Sequence, residues 1–168
     1  MDSQIKYMQD GRNENCSNLV FGSNRDQASL LEFLKLCGKH KNIQEGSRIH
    51  ENIIQRGLFR EDLYLNTAVV SMYAKCGALE KAREVFEQLS VRSVVSWTSL
   101  IAGNAQHGCS DEALKCLKKM KDDGVSPDAI TYVCILKACC GVGSLEVVEA
   151  IDNEVRSQGL LQKEIVLG

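Results

Sequence analysis

At 168 residues, 44% apolar and 25% charged, the chain can build one modest folded domain, and its charge content is that of a soluble protein. No apolar run approaches the roughly 20 residues needed to cross a bilayer. The formal charge of −2 lacks the basic surplus usual in nucleic-acid modules, so affinity for a polyanion should be weak and salt-sensitive.

Met1 to Asp26 is rich in Asn, Asp, Gln and Ser, with one small apolar patch at Leu19-Val20-Phe21, and it reads as a mobile polar tail. Asp2, Asp10 and Glu14 argue against an organellar transit peptide, which is Arg-rich and poor in acids. From Gln27 onward the pattern changes to short amphipathic helices in pairs. The clearest pair runs from Val94 to Asp128 and holds the chain's single Trp and single Pro. Val94, Trp97, Ile101 and Ala105 fall three or four residues apart and form one apolar stripe. Gly108 ends that helix. Ser110 is placed to cap a second helix, in which Ala113, Cys116, Leu117 and Met120 face the first.

One such hairpin leaves an apolar face uncovered and requires neighbours. They are present: 27–62 and 129–164 align without a gap at an offset of 102 residues, so that Leu34 meets Leu136, Cys37 meets Cys139 and Ile49 meets Ile151. Residues 63–93 form a shorter hairpin of the same grammar. Counted from the first residue of each unit, position 8 holds Leu34, Val70, Ile101 and Leu136, and position 27 holds Ile53, Leu89, Met120 and Val155. Position 15 is Gly77, Gly108 and Gly143 in three units and Lys41 in the first. Position 20 is Gly46, Ala82 and Ala113, small residues suited to a close helix crossing, and then Val148. Net charge drifts along the units, +1, +1, −1 and −2, which would put the phosphates of any nucleic-acid ligand against the first half.

The unit lengths of 36, 31 and 35, with the phrases MYAKCG (Met72 to Gly77), VVSWTSLIAG (Val94 to Gly103), GVSPD (Gly124 to Asp128) and LKAC (Leu136 to Cys139), resemble the plant-type pentatricopeptide repeat proteins, in the subclass that alternates long, short and ordinary motifs. The resemblance covers 27–168. It implies an all-α fold, a right-handed α-solenoid of helix-turn-helix repeats, and sequence-specific binding of single-stranded RNA in a mitochondrion or chloroplast. Periodicity alone yields only an α-solenoid. Within the resemblance the chain is part of a longer protein, and 165–168 opens a further repeat. A solenoid cut there exposes an apolar face, and marginal stability or self-association is expected.

In the resembled family the fifth and last residues of a motif read one base, and the second residue flanks it. A polar side chain there can hydrogen-bond the exposed edge of an unstacked base. The resemblance therefore points to Thr98 and Asp128 as a guanine-favouring pair, to Thr67 and Ser93 as a weaker pair mildly favouring purines, and to Tyr64, Val95 and Ile130 as flanking residues. Leu31 and Val133 occupy the fifth position of the long units and offer no hydrogen bond. Lys39 and Lys75 share unit position 13 and are candidates for phosphate contact. A plainer role competes at each: Asp26, Asp62, Ser93 and Asp128 precede first helices and can cap free amides without any RNA, Lys39 and Lys75 can be solvated surface charges, and Trp97 suits the core better than a base-stacking platform.

There is no C-x-x-C, and His40, His50 and His107 are not at zinc-ligand spacing from a cysteine pair, so no metal or cofactor is expected. Cys37 and Cys139 sit where a small soft apolar side chain packs well. No catalytic triad, carboxylate pair or phosphate-cradling glycine loop stands out, and no enzyme is predicted. Expected partners are single-stranded RNA and the proteins of RNA editing or processing, with no membrane and no DNA. The alternative is a protein-binding scaffold of the tetratricopeptide kind, but its constant 34-residue period and W-x-x-L-G-x-x-Y pattern are absent.

Overall fold

The computed structural model describes residues 27–60, 62–142 and 145–157, and every regular element among them is helical. The expectations for Met1 to Asp26, for Gly143 and for 158–168 lie outside the described residues. The helices are α1 (Gln27–His40), α2 (Ile43–Gln55), α3 (Leu63–Cys76), α4 (Leu79–Glu87), α5 (Val94–Gln106), α6 (Ser110–Asp122), α7 (Ala129–Val142) and α8 (Leu145–Ser157), with a 3₁₀ turn at Leu58–Arg60. They pair as four consecutive hairpins. The first helices α1, α3, α5 and α7 stack side by side in one layer, and each second helix packs on its own first helix; α2, α4 and α6 also touch the first helix of the next hairpin. The chain is an all-α helical-repeat solenoid.

The two layers differ in what they bury. An inner first helix is flanked by two other first helices and by two second helices, so α3 buries Leu65, Asn66, Val69, Val70, Met72, Tyr73 and Ala74 around most of its circumference. A second helix buries one stripe, as α4 does with Ala82, Val85 and Phe86. Full burial of one such aliphatic side chain contributes about 1.5–3 kcal/mol, and the stripes of neighbouring hairpins merge into one continuous core. The repeat register coincides with that core. Leu34, Val70 and Ile101 at position 8 and Ile53, Leu89 and Met120 at position 27 are buried, while Leu136 and Val155 are half-buried. Gly46, Ala82 and Ala113 at position 20 are buried too, and a methyl group on Gly46 would run into the Met72 side chain.

Polar residues set the helix ends. Asp62 accepts from the Tyr64 and Leu65 amides, Ser93 from the Ser96 amide and Asp128 from the Thr131 amide, so the anticipated caps form at all three. Position 15 carries the left-handed turn between the helices of a hairpin: φ is 82° at Gly77, 76° at Gly108 and 55° at Lys41, a side-chain-bearing residue in the same conformation. Trp97 is buried with its ring edge-on to Phe86 at 4.5 Å, as a core residue. Cys37 and Cys139 are buried, as a small apolar side chain at that position requires.

One expected cap is wrong. Cys109, not Ser110, is the N-cap of α6, and its carbonyl accepts the Ala113 amide. Ser110 is buried as the first helical residue, and its hydroxyl donates across the hairpin boundary to the Ala138 carbonyl of α7 at 2.9 Å. The hydroxyl finds a carbonyl of the neighbouring repeat in a site closed to water, and that contact outweighs a local cap. No described helix is long and apolar enough to cross a membrane.

Candidate nucleic-acid interface

The layer of first helices carries a groove in two adjoining sections. The first, about 640 Å³, is lined by Leu31 and Lys35 of α1, by Tyr64, Thr67, Ser71 and Lys75 of α3, and by Ser93, Val95 and Ser99 at and after the start of α5. The second, about 280 Å³, is lined by Ser71, Lys75, Val95, Thr98, Ser99, Gln106, Asp128, Ile130 and Cys134. Ser71, Lys75, Val95 and Ser99 belong to both sections, which makes the groove continuous across the first helices of all four hairpins.

The structure brings nearly all of the sequence-derived candidates together in this groove. Thr98, Asp128, Val95 and Ile130 share the second section, and Thr67, Ser93 and Tyr64 share the first with Val95. Tyr64, Val95 and Ile130 are large apolar or aromatic side chains with 80%, 63% and 65% of their surface exposed. Their recurrence once per hairpin gives the groove a row of exposed shelves, with the pair Thr67 and Ser93 between Tyr64 and Val95 and the pair Thr98 and Asp128 between Val95 and Ile130. Lys75 reaches both sections; Lys39 is exposed on the last turn of α1 and is not among the lining residues. Leu31 lines the first section and Val133 is exposed on α7, without a polar group to offer.

The polar pairs differ in how their protons are placed. Thr67 donates its hydroxyl to the Leu63 carbonyl at 2.9 Å, one helical turn back, and Ser93 accepts from the Ser96 amide at 3.2 Å. In the second section three side chains form a chain: Thr98 Oγ1 lies 2.7 Å from Thr131 Oγ1, which lies 2.7 Å from Asp128 Oδ1, and the Thr131 amide donates to that same Oδ1 at 2.8 Å. Thr131 is wholly buried beneath the groove. Sequence reasoning missed it. Its signal is an acid followed three residues later by a hydroxyl, the spacing of a capping box, and it is legible only as a cap. Burial raises the Cys134 thiol above its ordinary range, with Asp128 adding to the effect and Lys137 opposing it. Among the described residues no three His, Cys, Asp or Glu side chains gather as a metal site.

A solenoid of helical hairpins with an open groove along its first helices belongs to the α-helical repeat class. Residues 92–141 match the PPR repeat family, and residues 67–94 match the PPR repeat. A mitochondrial pentatricopeptide repeat-containing protein of Arabidopsis thaliana is 42% identical over 121 residues, which are 72% of this chain and 19% of that protein. Another from the same plant is 34% identical over 147 residues, 87% of this chain and 17% of its own length. Among solved structures, the pentatricopeptide repeat protein PPR10 in complex with an 18-nt psaJ RNA element superposes with a TM-score of 0.74 at 25% identity, over 83% of this chain and 21% of that one. The structure of PPR10 from maize superposes with a TM-score of 0.68, covering 82% and 20% of the two chains. The chain is a pentatricopeptide repeat protein. It spans about a quarter or less of the relatives it matches.

Proposed function

We propose that this chain binds single-stranded RNA along the groove of its first helices, one nucleotide per hairpin, as a section of a longer pentatricopeptide array of the alternating long, short and ordinary subclass. The units are 27–62, 63–93, 94–128 and 129–164. The observation that carries the proposal is the convergence of Thr98, Asp128, Val95 and Ile130 on one section of a continuous groove. A base lying between the Val95 and Ile130 side chains has its edge toward Thr98 and Asp128, and those two read it as guanine. Thr67 and Ser93, flanked by Tyr64 and Val95, read the preceding base with less discrimination. Lys75, at the junction of the two sections, meets phosphate; Lys39 contributes only as a nearby positive charge. By kinship with relatives that include a mitochondrial protein, the setting is an organelle, mitochondrion or chloroplast, and the role is site recognition in RNA editing or processing with partner proteins.

The test is a salt-titrated binding assay with short single-stranded RNA pools, comparing the parent with Thr98→Val and Asp128→Asn. Asparagine keeps an oxygen for the helix cap and presents an amide donor in place of the second carboxylate oxygen. Loss of guanine preference without general weakening is the expected result. A uniform loss, or none, would return Asp128 to a pure capping role, and failure of the parent to bind any RNA would favour the protein scaffold.

A further inference from the structure

Thr131 comes from the hairpin after the one that holds Thr98, and it lies below the groove where no ligand can touch it. We propose that it is a positioning residue that orders the protons of the reading pair, so that Thr98 and Asp128 together present only acceptors to the bound base. The inference rests on the RNA reading above and goes beyond it by assigning the origin of the pair's selectivity to a residue outside the groove.

The order follows from counting protons. A carboxylate accepts and does not donate, and a threonine hydroxyl has one proton and two lone pairs. At 2.7 Å from Asp128 Oδ1, the Thr131 hydroxyl has to donate to it, because the opposite arrangement would press two lone pairs together. With its proton committed there, Thr131 can only accept at its other 2.7 Å contact, so Thr98 donates. The Asp128 amide, 3.4 Å from Thr131 Oγ1, supplies a second weak donor to the same oxygen and fits this assignment. The proton of Thr98 is therefore held inward, and what remains for the groove is its lone pairs. Both contacts to Asp128 fall on Oδ1, and Oδ2 is the carboxylate oxygen left for a ligand.

Two acceptors side by side match a base edge with two adjacent donors. Guanine has one, in N1–H and the N2 amino group. Adenine offers one donor beside an acceptor, cytosine one donor followed by two acceptors, and uracil one donor between two acceptors. Nothing equivalent exists in the described hairpin before: Ser96, which occupies the position of Thr131, turns its hydroxyl to the Ser93 carbonyl at 2.9 Å. Thr67 instead spends its proton on its own helix.

The experiment compares binding of U-rich RNA octanucleotides carrying one central guanosine or one central adenosine to the full chain and to Thr131→Val, Thr131→Ser and Thr98→Val, read by fluorescence anisotropy, with urea unfolding of each variant in parallel. Valine keeps the shape of Thr131 and removes the hydroxyl, so Thr98 is free to turn its proton into the groove and donate to adenine. The expected result is that the parent's guanosine preference falls about tenfold in Thr131→Val, a loss of the size a good polar pair contributes to discrimination, while Thr131→Ser retains it. Retention of the preference in Thr131→Val, or equal loss in Thr131→Ser, overturns the inference. If Thr98→Val loses the preference and Thr131→Val does not, base reading stands and only the proton-ordering role falls. If the parent binds neither RNA, both fall.

Discussion

Gly103 lies where α5 crosses α3, and its replacement by alanine tests whether the stacking distance of the first helices is set by backbone contact. An ideal Cβ at Gly103 would sit 2.6 Å from Ala74 Cβ, 3.1 Å from Ala74 Cα and 3.2 Å from the Ala74 carbonyl oxygen. Ala74 is buried, and two of these three atoms are main chain, so nothing can rotate out of the way. Overpacking of this kind costs about 1–3 kcal/mol, and backbone contact belongs at the upper end of that range. Alanine in a helix interior returns about 1 kcal/mol over glycine. The net expectation for Gly103→Ala is a loss of about 1–2 kcal/mol. Gly38→Ala is the control: its Cβ would meet the Lys75 stem at 3.2 Å, and an exposed lysine can move aside, so the helix gain of up to about 1 kcal/mol should survive. Urea unfolding is the assay, with the midpoint compared at unchanged slope. Ala74→Gly added to Gly103→Ala should recover part of the loss, with a coupling of about 1 kcal/mol in the double-mutant cycle. A midpoint that rises in Gly103→Ala as it does in Gly38→Ala, with no coupling to residue 74, would refute the argument.

His50 accepts from or donates to the Tyr73 hydroxyl at 3.2 Å between the Phe59 and Tyr73 rings, and burial lowers its pKa below the ordinary 6.5, with Glu51 opposing and Lys81 assisting. The fold thus favours neutral His50: its contribution is complete above pH 6.5 and is lost as pH falls through its depressed value, so the urea midpoint should drop on going from about pH 7.5 to about pH 5.5, and His50→Phe should remove that part of the drop. Lys41 holds φ at 55°, a conformation that costs a side-chain-bearing residue roughly 1–2 kcal/mol against the roughly 0.5–1 kcal/mol of extra chain entropy that glycine loses. Lys41→Gly should therefore stabilise the chain by about 0.5–1 kcal/mol in thermal unfolding, and a lower midpoint would contradict the account of position 15. Ser110→Ala removes the hydroxyl bond to the Ala138 carbonyl and should cost about 1 kcal/mol in the same assay, an effect absent if the hydroxyl faced solvent without a protein partner.

The hairpins were legible because their signals are local and recur. Leu34, Val70 and Ile101 share a register position, and a side chain that must be buried in one stacked unit must be buried in the next. The caps at Asp62, Ser93 and Asp128 were equally legible, since an N-cap acts within three residues. Ser110 was misread for the opposite reason. Its partner, Ala138, is 28 residues away on another hairpin, and no local pattern distinguishes a hydroxyl that caps its own helix from one that reaches the next. The role of Thr131 was hidden in the same way, because its contact to Thr98 exists only after α5 and α7 stack. Whether Thr67, Ser93, Thr98 and Asp128 face one groove depends on the rotation between successive hairpins, a tertiary quantity, and Lys39, though in register with Lys75, is not among the residues that line the groove.

Capping and the proposed base reading compete for the last residue of a unit, and the geometry at Asp128 leaves room for both. A carboxylate has two oxygens. At Asp62 both capping amides converge on Oδ1, and at Asp128 the amide and hydroxyl of Thr131 do the same. The helix start consumes one oxygen and, in doing so, fixes the direction of the other. A residue chosen for a cap is thereby held rigidly at the rim of the groove, with no further entropy to lose when a ligand arrives. Ser93 has a single oxygen and cannot divide the two tasks: the atom that takes the Ser96 amide is also the only one it can offer a ligand, through its proton and its second lone pair. The difference between Ser93 and Asp128 is thus a difference in what remains after folding has taken its share, and under the proposed RNA reading it leaves the hairpin ending in serine with the weaker means of choosing a base.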